Sequence, residues 1–256
     1  MVMRLWIAFC VLLSTLAAQQ QQPAAPPAPE ALDAAKLKTA LDRANRTLQD
    51  WANLNRYHAD NLKIAAPAAD EERVVFMGDS ITDAWGRTYG KTTFFPGKPY
   101  INRGISGQTT PQMLIRFRPD VIALKPLAVV ILAGTNDIAG NTGPMTLESI
   151  EGNLMSMTEL AQANAIKVVL SSVMPTCDYI RLQSDRRPNS KIRELNLWIK
   201  NYAAQHNAVY LDYFTAMADE QGNLKKEITY DGLHPNDAGY ELILPLAEKA
   251  IAEALK

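Results

Sequence analysis

The chain has 256 residues, 47% hydrophobic and 21% charged, with a formal net charge of −1. Length and composition are those of a globular protein with one large domain or, at most, two small ones. The near-neutral charge excludes the strongly basic proteins that bind nucleic acids through their overall charge, and no nucleic-acid partner is expected.

The first eighteen residues follow the pattern of a secretory signal peptide. Arg4 precedes an apolar stretch, and small residues lie near Ala18. The stretch is shorter than the about 20 residues that a membrane span needs. We therefore predict a signal peptide over residues 1–18, a secreted or periplasmic location, and no integral membrane span after cleavage. Cleavage would leave Cys177 alone, so no intrachain disulfide is expected.

Two segments precede the main domain. Residues 19–29 are rich in Gln, Ala and Pro, which predicts a low-complexity, flexible tether. Within residues 30–66, Leu37, Leu41, Leu48 and Trp51 recur at helical spacing between charged side chains, which predicts an amphipathic helix to about residue 62 and a short connection. We expect its apolar face to pack along the main domain, with a homodimer contact as the alternative.

Residues 67–256 form the predicted main domain, in which strands and helices alternate. Strands are predicted over residues 73–77, 100–102, 128–132, 167–171 and 209–212. Helices are predicted near residues 109–117, 147–164, 190–206 and 236–255. Continuous apolar strands suit a parallel sheet that is buried on both faces. The alternation predicts a three-layer α/β/α sandwich with a five-stranded parallel sheet, whose ligands bind beyond the carboxyl ends of the strands.

Ser80 follows the first predicted strand in the run Gly-Asp-Ser. Gly78 allows a sharp turn, and the first N–H groups of a following helix favour negative charge. This places a hydroxyl nucleophile beside donors for an oxyanion. Taken alone, the run also fits a serine that only caps a helix.

Two later strands are also followed by hydrogen-bond donors. Gly104 lies in a glycine-containing turn after the second strand, and Asn136 follows the third. A backbone N–H and a side-chain amide are the uncharged donors that an oxyanion hole needs. Each of the two residues alone also fits an ordinary turn.

Asp231 and His234 lie three residues apart near the end of the chain. A tight turn can hold such a carboxylate against the imidazole, where it fixes the tautomer of the ring and stabilises the imidazolium. The chain has no His-x-x-x-His or Cys-x-x-Cys pair, so no metal site is predicted.

In chain order, these motifs resemble the sequence blocks of the SGNH hydrolases, a branch of the GDSL esterase/lipase superfamily. The resemblance extends from about Arg73 to the C-terminus, and the closest groups are secreted bacterial acylhydrolases and platelet-activating-factor acetylhydrolase-like proteins. It implies a flavodoxin-like sheet, Ser80 as nucleophile, His234 as base and Asp231 as acid. It also implies an oxyanion hole formed by Ser80, Gly104 and Asn136, and no cofactor.

The substrate is predicted from the loop after the fourth strand. This loop is polar and aromatic and carries Arg186 and Arg187, which are either part of the pocket rim or ordinary surface charges. A polar rim favours a short acyl group, such as acetyl, on a carbohydrate or another polar alcohol. The alternatives are a lipid acylhydrolase of the lysophospholipase or thioesterase type, and a carbohydrate-binding protein that has lost catalysis.

Overall fold

The computed structural model describes residues 34–87 and 92–256. The predicted signal peptide and tether, together with the first residues of the predicted N-terminal helix, lie outside these ranges. The chain divides into two compact units at Asp42, and the second unit, Arg43–Lys256, contains the whole sheet.

The described residues form five strands and nine α-helices. The strands are β1 Val74–Gly78, β2 Tyr100–Gly104, β3 Ala128–Leu132, β4 Lys167–Ser171 and β5 Ala208–Leu211. The helices are α1 Ala34–Gln49, α2 Asn55–Asn61, α3 Ser80–Ala84, α4 Thr110–Asp120, α5 Thr135–Ile138, α6 Leu147–Ala163, α7 Asn189–Gln205, α8 Tyr213–Met217 and α9 Asp237–Ala254.

All five strands are parallel, in the order β2-β1-β3-β4-β5. Each strand sends alternate apolar side chains to opposite faces. Val75 and Val129 join a core beneath α4, α6 and α7, whereas Phe76 and Val130 join a second core beneath α3, α8 and α9. The predicted three-layer α/β/α sandwich with a five-stranded parallel sheet is confirmed.

The strand order reverses direction at β1, which lies between β2 and β3. Gly78, the last residue of β1, is in register with Gly104 of β2 and Leu132 of β3. The segments that follow these three strands therefore start at neighbouring points of one sheet edge. In open parallel sheets, ligands bind in the crevice outside such a reversal point.

Side-chain caps fix where helices begin. Asp79 accepts from Ile81 N at the start of α3, Thr146 caps α6, and Asn236 caps α9 by accepting from Gly239 N. Each cap satisfies an N–H group that the helix itself leaves without a partner.

The single N-terminal helix predicted to residue 62 is wrong, because α1 and α2 are separate. The Asp50 carboxylate accepts from Leu54 N at 2.7 Å and Asn55 N at 2.9 Å, and Asn53 has a φ of 55°. These local bonds compete with the helical ones and turn the chain. Within the described residues, no helix is both long and apolar enough to span a membrane.

Candidate active site

Ser80 is the first residue of α3, directly after β1. Its position at the helix start leaves its N–H without an intrahelical partner. A Cβ on Gly78 would lie 2.1 Å from Thr82 Oγ1, so only glycine allows this close strand-to-helix junction. The Ser80 side chain is half-buried and open to a ligand at the sheet edge.

His234 reaches Ser80 from the loop before α9. Its Nε2 lies 3.0 Å from Ser80 Oγ, and its Nδ1 lies 2.9 Å from Asp231 Oδ2. The structure therefore brings together the hydroxyl, imidazole and carboxylate that the sequence suggested, in the order needed for proton transfer. The Tyr240 hydroxyl of α9 donates to Ile81 O of α3 at 2.8 Å, which ties the helix after the histidine loop to the helix that carries Ser80.

A tight turn shapes the Asp231–His234 pair. Asp231 Oδ1 accepts from Leu233 N at 3.1 Å and from His234 N at 2.9 Å, so the carboxylate organises the backbone as well as the ring. Gly232 has a φ of 88°, and Cys177 N donates to its carbonyl at 2.9 Å. Buried Cys177 thus packs beneath the turn through its backbone.

Burial raises the pKa of Asp231, but the hydrogen bonds from the ring and backbone of His234, together with the charge of that ring, outweigh burial. The net effect holds the pKa of this carboxyl well below its usual range. Asp231 therefore stays ionised at neutral pH and can stabilise an imidazolium at His234.

Asn136 is buried at the start of α5, where its amide is held on three sides. Its Nδ2 donates to Gln108 O at 3.0 Å, and its Oδ1 accepts from Asn141 Nδ2 at 3.0 Å and from Arg187 Nη2 at 3.2 Å. One Nδ2 hydrogen remains for a ligand. The interpretation of Arg187 as a surface charge is wrong, since the residue is only 8% exposed.

Gly104 does not fit the role predicted for it. Its N–H donates to Asn102 Oδ1 at 2.9 Å, so this donor is occupied. A Cβ at Gly104 would lie 2.1 Å from Asp83 N, which indicates that the glycine is needed to pack β2 against α3. Gly107, three residues later, is exposed at a φ of 80°, and no protein group within the described chain accepts from its N–H.

Sequence reasoning missed Gly107, Gln108 and Asn141 as neighbours of the site. Gly107 O accepts from Asn141 Nδ2 at 3.1 Å, and the same amide group donates to Asn136. Gly107 and Asn141 lie in two separate turns, and neither residue carries a signal beyond ordinary turn chemistry. Among the described residues, no cluster of three or more His, Cys, Asp or Glu side chains could hold a metal ion.

The model of the GDSL-like lipase/acylhydrolase family matches residues 76–242. The chain belongs to this family. This GDSL-family protein is accordingly an ester hydrolase, and the resemblance noted in its sequence is confirmed. The match includes Ser80, Gly104, Asn136, Asp231 and His234 within one continuous region.

Similar proteins share most of the chain. Platelet-activating factor acetylhydrolase IB subunit alpha1 of Bos taurus is 26% identical over 198 residues, 75% of this chain and 81% of that protein. An acetylxylan esterase of Geobacillus stearothermophilus is 25% identical over 201 residues, 67% of this chain and 90% of that protein. The crystal structure of a GDSL-like lipase from Bacteroides thetaiotaomicron superposes with a TM-score of 0.74 at 44% identity, covering 80% of this chain and 99% of that one.

Proposed function

We propose that this GDSL-family protein is a serine esterase that removes short acyl groups, acetyl above all, from carbohydrates or other polar alcohols. The observation that carries the proposal is the pair of contacts at His234, 3.0 Å to Ser80 Oγ and 2.9 Å to Asp231 Oδ2. A nucleophile, a base and a group that orients the base at these distances are the requirements for acyl transfer through a covalent intermediate.

In this mechanism Ser80 Oγ attacks the ester carbonyl while His234 Nε2 takes the hydroxyl proton. Asp231 accepts from His234 Nδ1 and stabilises the imidazolium, which then protonates the leaving alcohol. Water, deprotonated by His234, hydrolyses the acyl-enzyme and regenerates Ser80. The reaction needs no cofactor.

The oxyanion that forms after attack needs preorganised donors. We assign the Ser80 N–H and Asn136 Nδ2 to this role, and the Gly107 N–H as the third donor instead of Gly104. Two observations support the choice of Gly107: its N–H has no partner in the described chain, and Asn141 Nδ2 donates to both its carbonyl and Asn136 Oδ1. The buried guanidinium of Arg187 holds the same amide from its oxygen side.

Labelling with a fluorophosphonate probe tests the assignment of the nucleophile. The protein should be labelled, Ser80→Ala should not be labelled, and Ser156→Ala, on a half-buried position of α6, should be labelled like the wild type. Persistent labelling of Ser80→Ala would remove the triad from this proposal. A folded wild-type protein without labelling or esterase activity would favour a binding protein that has lost catalysis.

A chain-length series of p-nitrophenyl esters tests the acyl group. Two observations support a short acyl group: the polar loop after β4 and the acetyl-ester activities for which the two curated relatives are named. The kcat/KM should be highest for acetate and fall with chain length. A much higher value for medium-chain esters would favour a lipid acylhydrolase of the lysophospholipase or thioesterase type.

We also propose that the protein is exported from the cytoplasm. The basic start, apolar stretch and small residues of positions 1–18 support a secreted or periplasmic location. Mass determination of the mature protein after expression with the full leader should show cleavage near Ala18. An uncleaved chain in the cytoplasmic fraction would contradict it.

A further inference from the structure

A cavity of about 730 Å³ lies beside the proposed oxyanion donors. One wall is the turn from Ile105 to Gln108 with Asn141 and Thr142, and the other is the segment from Thr47 to Asn55. Its volume falls in the range of sites that hold small organic ligands. Because Asn141 bonds to both Gly107 O and Asn136 Oδ1, the cavity begins one hydrogen bond from the proposed oxyanion hole.

The wall between α1 and α2 is held in place by side chains of the main domain. Gln112 Nε2 donates to Trp51 O at 2.7 Å, and Gln108 Nε2 donates to Ala52 O at 2.8 Å. Asp50 fixes the turn that follows by accepting from Leu54 N and Asn55 N. Trp51 is therefore fixed through its backbone, while its side chain remains 39% exposed at the cavity.

The lining residues that the structure describes are mostly polar and uncharged. Asp50 is the one charged residue among them, and backbone N–H groups occupy both of its carboxylate oxygens. In the part of the chain that the structure describes, no group bonds to the side-chain amides of Gln49, Asn53 or Asn55. Free amides both donate and accept, which matches hydroxyl groups, and the indole face offers a flat apolar surface.

We propose that this cavity is a binding subsite for a neutral oligosaccharide that carries the ester, with Trp51 as the platform for one sugar ring. A sugar ring combines a flat C–H face for the indole with hydroxyls for the amides. An acyl chain would instead leave these polar groups without partners. The inference rests on the proposed function, because the ester of the bound chain must reach Ser80. It assigns substrate selection to the segment between α1 and α2.

Kinetics on two esters test the subsite. In Trp51→Ala we expect the KM for acetylated xylotetraose to rise about tenfold, as for truncation of a central aromatic contact. p-Nitrophenyl acetate is too small to fill the cavity and to contact Trp51. Its kcat/KM in Trp51→Ala should therefore stay within about twofold of the wild-type value. Trp51→Phe should retain most of the oligosaccharide affinity. Leu54→Ala, an exposed apolar residue of the same segment outside the cavity, is the matched control.

Binding to the full chain carrying Ser80→Ala separates the subsite from the chemistry. Calorimetric titration with acetylated xylotetraose should give a Kd that rises about tenfold on adding Trp51→Ala. Asn55→Ala provides a second probe if Trp51→Ala does not fold, and should also weaken binding. An unchanged Kd in these variants, an equal loss in Leu54→Ala, or no binding at all overturns the subsite. A wild type that binds the oligosaccharide but hydrolyses neither ester overturns the proposed function alone.

Discussion

Asn136 illustrates how single side chains prepare this site. Its amide oxygen accepts from Asn141 and from the buried guanidinium of Arg187, and its nitrogen donates to Gln108 O. Three partners leave the amide one orientation, in which a single N–H remains for the substrate. In the proposed oxyanion hole, a donor fixed in this way would need no reorganisation when charge develops on the carbonyl oxygen.

Asn136→Ala should lower kcat for p-nitrophenyl acetate by on the order of 10²–10³, as for other side-chain oxyanion donors. Asn164→Ala, which removes an exposed amide at the end of α6, is the matched control and should leave kcat nearly unchanged. Steady-state kinetics on both variants measure the effect. A loss smaller than about fivefold would exclude Asn136 from this role.

Arg187 is expected to act through Asn136. Burial, and then the charge of Arg186, lower the pKa of its guanidinium, whereas the carboxylates of Asp79 and Asp231 raise it. Arg187→Met removes the charge-assisted bond to Asn136 Oδ1 and should lower kcat about tenfold. The KM for p-nitrophenyl acetate should change little, and Arg187→Lys should recover part of kcat. A variant that only melts earlier, with kcat intact, would show a purely structural role.

At the scale of elements, the turn from Asp231 to His234 depends on a backbone conformation that favours glycine. Gly232 has a φ of 88°, and a Cβ there would lie 2.1 Å from Cys177 O, a backbone atom. Gly222 has a φ of 80°, but its nearest neighbour is the flexible end of the Arg193 side chain, at 3.0 Å. Alanine would be strained at either position because φ is positive, but only at Gly232 would its Cβ also clash with a backbone atom.

Gly232→Ala and Gly222→Ala should therefore both lose about 1 kcal/mol or more of stability, because alanine is strained at positive φ. Only Gly232→Ala should also lose activity, by at least about tenfold, since a displacement of the turn moves His234 away from Ser80. Thermal melts and kcat values measure the two effects. Full activity in Gly232→Ala would mean that the turn tolerates movement.

The sequence predicted the sheet better than the short elements. The strands predicted at residues 128–132 and 167–171 match β3 and β4. Ala128–Leu132 and the centre of β4, Val168 to Leu170, are continuously apolar, as suits strands buried on both faces. Helices α5 and α8 have four and five residues, too few to show a helical period. Their positions depend on bonds from distant residues.

In the N-terminal segment, the sequence predicted one long helix where the structure has two shorter ones. Its apolar period suggested one long helix packed on the domain, yet the chain turns at Asp50–Asn53, and Leu48 is 80% exposed. The attachment uses backbone carbonyls of Trp51 and Ala52, which no side-chain pattern reveals. The prediction that the Gly104 N–H faces an oxyanion was wrong for the same reason, because the sequence does not show which group accepts from a backbone N–H. The homodimer alternative stays a prediction that light scattering can test.

For the molecule as a whole, buried Asp79 links stability to pH. Burial raises the pKa of Asp79 to about 6, although the bond from Ile81 N and the charge of His234 lower it. Oδ2 of this carboxyl has no hydrogen-bond partner among the described residues. Since the pKa of an aspartate in an unfolded chain is about 3.9, the folded protein binds more protons than the unfolded chain between about pH 4 and 6.

Stability should therefore fall as pH rises through this window, by up to about 3 kcal/mol from this group. The contribution of Asp231 has the opposite pH dependence, because its pKa is lowered and its stabilisation is lost only as pH falls below about 4. The effects of Asp79 and Asp231 therefore occur in different pH ranges. Urea unfolding of the wild type and Asp79→Asn between pH 4 and 7 measures the difference. The difference should favour the variant increasingly as pH rises, and parallel curves would contradict the assignment.

The distance along the chain between Ser80 and His234, the proposed nucleophile and base, has a consequence for biosynthesis. Ser80 and His234 are 154 residues apart, one after the first strand and the other before the last helix. A ribosome that has made Ser80 must still complete the remaining four strands before His234 exists. Under the proposed mechanism, translation products that end before His234 should therefore carry an unactivated Ser80 hydroxyl.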